Sequence, residues 1–115
     1  MNAYITYLEE TIRELQKEEE ALILASRKDE ANFAKIKINI CDICKTIYNV
    51  TAKTKNGAAL KEEYIRQLTR LPENWKISLE KAKAHDDVEK IVIEETKLEM
   101  LQKIVAKFEE AGAWE

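Results

Sequence analysis

Cys41-Asp42-Ile43-Cys44 is the one string in this chain whose residue types and spacing could do chemistry. A CxxC pair can cycle between thiols and a disulfide, or supply half of a zinc site. The redox form sits where a strand gives way to a helix, and here both flanks have helical periodicity. Tetrahedral zinc needs two further Cys or His ligands, and the only other candidate is His85. On a helical wheel Cys44 points to the centre of an apolar face and Cys41 to its edge, so the pair reads as small core residues.

His85 is the sole histidine, which removes any paired-histidine or diiron arrangement within one chain. Glu89 lies four residues on, with Asp86 and Asp87 close by, a set that could hold a divalent ion weakly but reads better as a solvated helix junction. Carboxylate pairs recur at Glu9-Glu10, Glu62-Glu63, Glu94-Glu95 and Glu109-Glu110, the spacing of solvated helical faces that pair with lysines. Glu18 and Glu19 fall instead within an apolar sector, where polar residues can fix the register of a helical interface. The two glycines, Gly57 and Gly112, are too far apart to build a phosphate loop. The reading is of a non-enzymatic chain that calls for no cofactor and no metal.

The elements follow from composition and periodicity. Ala, Glu, Lys, Leu and Arg make up about half of the 115 residues, with only two Gly and one Pro. That is the make-up of long helices, and it leaves little room for hairpin turns or a sheet. Hydrophobic content of 45% is enough for a core despite 36% charged residues. Tyr4, Leu8, Ile12, Leu15 and Leu22 share one face of a first helix, and Phe33, Ile36, Ile40, Ile43, Cys44, Ile47 and Tyr48 share a face of a second. A single helix through both would be on the order of 75 Å long, too long for a small domain, so a tight hairpin is expected near residues 26–30, with Asp29 able to cap the second helix. Asn56-Gly57 is the clearest stop, and Pro72 marks the next boundary. From Trp75 onward there is no strong breaker. His85-Asp86-Asp87 is the place where that run could part, since Asp86 or Asp87 could cap a new helix before Val88. The expectation is one all-α domain over residues 1–115, an antiparallel four-helix bundle of unequal helices at about 3–27, 30–54, 58–71 and 74–111.

Apolar residues cover about half the circumference of the last helix, more than one neighbour needs. The short third helix cannot cover a helix of about 35 residues, so either the first hairpin or a second copy of the chain must. This predicts a homodimer, with Ile93, Met100, Ile104, Phe108 and Trp114 as the partner-facing residues.

The net charge of −3 hides a segregation: residues 1–30 carry −4, residues 31–72 carry +5 and residues 73–115 carry −4. A basic helix packed between acidic ones explains this pattern. The alternative is a nucleic-acid-associated regulator using segment 31–72, with Lys35, Lys45, Lys53, Arg66 and Arg70 as contacts. These cations spread over different helix faces, which favours the first explanation. The longest apolar stretch, Ala21 to Ala25, is far too short to span a bilayer, and two cysteines give no disulfide framework, so a cytoplasmic setting is expected. The function read from the sequence is a protein–protein interaction or scaffold module.

Overall fold

The computed structural model describes residues 3–111 and consists of α1 (Ala3–Leu24), α2 (Lys28–Ala52), α3 (Gly57–Arg70), α4 (Glu73–Ala84) and α5 (Val88–Ala111). No strand occurs among the described residues. α3 and α4 form one bent helical run, because Leu71 and Pro72 keep negative φ and the Leu71 N–H still reaches the Gln67 carbonyl. Pro72 has no N–H to give, so the ladder lapses and restarts where the Lys76 N–H bonds the Pro72 carbonyl. With α3 and α4 joined, the chain is the expected all-α bundle of four unequal helical units.

The boundary inside the second half differs in kind from the expected one. Pro72 bends the chain, whereas His85–Asp87 reverses it, so the run over 74–111 is two helices. Asp87 caps the second of them, its Oδ1 accepting the Lys90 N–H at 3.2 Å. Asp29 does not cap α2. It lies one residue inside the first turn with Glu30, where the helix dipole favours acids, and the N-cap position belongs to Arg27.

The halves of the molecule repeat. Adding 60 to a residue number maps α1 onto α3–α4 and α2 onto α5. Tyr4, Leu8, Cys41, Cys44 and Tyr48 are buried, and so are Tyr64, Leu68, Leu101, Ile104 and Phe108. The ring contacts close under the same operation. Tyr4–Phe108 (4.9 Å between centroids) corresponds to Tyr48–Tyr64 (5.2 Å), and Tyr4–Tyr48 (5.6 Å) to Tyr64–Phe108 (4.9 Å). Tyr4–Tyr64 and Tyr48–Phe108 map onto themselves. Only a two-fold rotation returns such pairs to themselves, so the bundle is two helical hairpins about an approximate dyad. α2 and α5 run the same way along it, with α1 and α3 packed against both. The least extent, 21 Å, is two helix diameters.

The two hairpin turns are built alike. Ser26 (φ 61°) and Asp86 (φ 52°) sit in the left-handed region. After α1 the Ser26 N–H bonds the Ile23 carbonyl and the Arg27 N–H bonds Leu22. After α4 the Asp86 N–H bonds Lys83 and the Asp87 N–H bonds Ala82. This paired pattern closes a helix end by satisfying its last carbonyls, and its left-handed position is usually glycine. Both turns therefore hold a side chain in a conformation that costs roughly 1 kcal/mol. Ser26→Gly and Asp86→Gly are expected to raise stability by about 0.5 to 1 kcal/mol each, read as a higher urea midpoint at unchanged slope. A lower midpoint for both would show that the turns draw on their side chains.

Candidate functional site

The residues expected to face a second copy are mostly used within one chain. Met100 is 6% exposed, and Ile104 and Phe108 are wholly buried in the core that also holds Tyr4, Cys44 and Tyr64. The area of α5 that exceeded one neighbour's reach is covered by α1, α2, α3 and α4 together. Ile93 alone of the set stays accessible, on the wall of a cleft, and Trp114 lies outside the described residues.

The basic middle segment is turned onto the acidic flanks. Lys45 Nζ meets Glu9 Oε2 at 3.0 Å, Lys35 meets Glu19 at 3.8 Å and Lys61 meets Glu109 at 3.5 Å, each pair joining two helices. Arg66 pairs with Glu63 within α3. Lys53 and Arg70 enter no ion pair among the described residues. Glu19, on the apolar side of α1, lies against α2 and meets Lys35 there across the hairpin. Exposed pairs of this kind contribute well under 1 kcal/mol each, but they cancel the charge segregation seen in the sequence.

Cys41 and Cys44 are free thiols with no exposed surface. Burial pushes each thiol up to about 12. Beside them the Tyr64 hydroxyl donates to the Cys44 carbonyl at 2.9 Å and lies 2.6 Å from the Tyr4 hydroxyl, which supplies the proton between the two. Burial also holds both tyrosines well above the usual phenol range. His85, exposed at the end of α4, turns Nδ1 to the Lys81 carbonyl at 3.0 Å. Among the described residues no three His, Cys, Asp or Glu side chains gather as ligands to a metal would. One buried acid stands apart: Glu94, 5% exposed, meets Lys97 at 3.3 Å with one oxygen, while its Oε2 has no hydrogen-bond partner. Its dyad counterpart is Ala34.

The surface carries a clearer signal, because the dyad supplies an internal control. Ile23, Leu24, Ile43, Val50, Ile77, Val88 and Val92 are large, apolar and at least 37% exposed. Their counterparts are Lys83, Ala84, Lys103, Glu110, Lys17, Lys28 and Asn32. Six of the seven are polar in the same fold environment, so the architecture does not require an apolar side chain at these places. Two groups of them are continuous. Val88, Val92 and Ile93 face Phe33 and Ile36 across a cleft of about 480 Å³ between the N-terminal halves of α5 and α2, with Asp29 and Glu89 also lining it. From that cleft Ile36, Ile43 and Val50 run along α2 at seven-residue spacing, all on one side of the helix.

Sequence reasoning counted Ile36 and Ile43 among the buried face of α2 and left Val50 out. A signal was present. Phe33, Ile36, Ile40, Ile43, Ile47 and Val50 alternate steps of three and four, a heptad seam wider than one neighbour fills. The structure splits that seam, sending Ile40 (2% exposed) inward and Ile43 and Val50 outward. No family model, curated protein or solved structure matches the chain.

The thiols give a pH prediction. An unfolded Cys ionises near pH 8.5, while the folded thiols keep their protons to about 12. Their contribution is complete below the unfolded value and is lost as pH rises toward the folded one. Stability is expected to hold to about pH 8.5 and then fall steadily, followed by urea midpoints. At pH 8 a thiol reagent should label both cysteines only as fast as the protein unfolds. Labelling of the folded chain within seconds would contradict this burial.

Proposed function

We propose that the chain is a non-enzymatic helical module that works through protein–protein contact, as an interaction or scaffold unit, and that it does so as a homodimer. The supporting observation is the set of exposed apolar residues whose dyad counterparts are polar. A side chain that the fold does not need, placed where water would favour a charge, is explained by a surface that is covered in use. Two free buried thiols favour a reducing compartment, and the cytoplasm is the location proposed with this function. No helix among the described residues is long and apolar enough to cross a membrane. The nucleic-acid reading stands second: three of its five cations, Lys35, Lys45 and Arg66, already hold carboxylates.

The test exchanges each exposed residue for the one across the dyad. Ile43→Lys, Val50→Glu and Ile77→Lys should each change the unfolding free energy by no more than about 0.5 kcal/mol, measured at low micromolar concentration. A loss above about 1 kcal/mol in all three would assign these side chains to the fold and overturn the reading.

A further inference from the structure

The dyad also shows that its two hairpins are fastened unequally. The C-terminal half of α1 belongs to an unbroken helix anchored by buried Tyr4 and Leu8, and Glu19 ties it to Lys35 on α2. Its counterpart, α4, is cut off from Tyr64 and Leu68 of α3 by the lapse in the ladder at Pro72. Leu79 stands where α1 has Glu19, and among the described residues no ion pair joins α4 to α5. The pairs found there, Glu80 with Lys83 and Glu94 with Lys97, each lie within one helix. Leu79 and Ala82, the buried residues of α4, lie outside the connected core, and only half-buried Trp75 packs against it.

Glu94 lies beneath this helix. Leu101 and Val105 line a groove with Ile65 and Leu68 of α3. Glu94 is two turns before Leu101 on the same side of α5, where the antiparallel chain has passed from α3 into α4. Its partner Lys97 stands 5.8 Å from the centre of the Trp75 ring. The other carboxyl oxygen is buried without a hydrogen bond, a cost that is recovered when water reaches it. Ala34, buried at the corresponding place beneath α1, carries no such cost.

We infer that α4 is a releasable strap. It lifts from α5 as a unit between hinges at Pro72 and Asp86, favoured by the buried carboxyl of Glu94, while α1, α2, α3 and the C-terminal half of α5 stay packed. Once free, a helix of 12 residues is too short to hold its shape in water, so the strap unravels. Its release uncovers the side of α5 that carries Ile91, Glu94 and Leu98. The strap is independent of whatever covers Ile43 and Val50.

Amide exchange of the full chain should find residues 73–84 opening about a hundredfold more often than the middle of α2, with a shallower dependence on urea. Thiol labelling locates the opening. Ala82 and Ala34 are equally buried, each 3% exposed, one on α4 and one beneath α1. In Ala82→Cys the introduced thiol should react at least about tenfold faster than Cys41 and Cys44 of the same chain. In Ala34→Cys it should react no faster than they do. Adding Glu94→Met, which fills a similar volume without a carboxyl, should slow the labelling of Ala82→Cys about tenfold. Exchange of residues 73–84 on the same urea curve as α2, or equal labelling of Ala82→Cys and Ala34→Cys, overturns the strap. Labelling of Ala82→Cys that Glu94→Met leaves unchanged overturns the carboxyl as its cause.

Discussion

Two phenol groups buried where no water can reach them set the terms for the rest of the molecule. A hydroxyl taken from water into an apolar interior costs several kcal/mol unless it finds a partner. Tyr4 and Tyr64 solve this by meeting each other, and the Tyr64 hydroxyl donates its own hydrogen bond to the Cys44 carbonyl. The bond works only if α1 and α3 arrive from opposite hairpins at one point. Around it the rings of Tyr48 and Phe108 stack edge to face, each such pair adding about 1 kcal/mol beyond its buried area. The dyad is thus held by directional contacts as well as by apolar area, which fixes how the two hairpins sit on each other.

Much of this architecture was legible in the sequence. The hairpin near residues 26–30, the break around Asn56-Gly57, the inward face of α1 and the inward Ile40, Cys44 and Tyr48 of α2 follow from helical spacing, because burial and period depend on local residue order. Gly57 takes a left-handed φ of 54°, although it opens α3 and does not close α2, whose C-cap is Lys53. The repeat was not legible. Across the 60-residue offset only Tyr4/Tyr64, Ile5/Ile65, Leu8/Leu68, Glu20/Glu80 and Lys37/Lys97 are identical. What persists is burial and shape, as where Cys44 answers Ile104 and Tyr48 answers Phe108, and core positions accept such exchanges when volume is conserved. Without the repeat, the excess apolar width of the last helix pointed to a second chain. In the structure α1, α2, α3 and α4 share the cover of α5, and Val88 and Val92 stay exposed.

The same duplication separates two kinds of apolar residue that a wheel cannot tell apart. Leu8 and Leu68 agree because the core needs both. Ile43 and Lys103 disagree because the core needs neither. Comparing one half with the other thus acts as an alignment of two sequences, and it shows that the core does not call for an apolar side chain at Ile43 or Val50. The CxxC string shows the limit of motif reading in the opposite direction. Its spacing suited chemistry, but positions 41 and 44 both fall inward on a continuous helix, where thiols serve as small apolar groups.

The connection between the hairpins also orders how the chain can fold. Within each hairpin the turns at Ser26 and Asp86 bring together residues close in sequence, and closing such short loops costs little entropy. The contacts across the dyad join Tyr4 to Tyr64 and Tyr4 to Phe108, spanning more than half of the chain. Local contacts form fast and distant ones slowly, so loop-closure entropy favours an order in which each hairpin forms before the tyrosine pair is made. Only Lys53 to Asn56 connects α2 to α3. Until docking is complete, either hairpin can be offered to the equivalent surface of another chain, and the two-fold plan carries an inherent route to exchanged dimers.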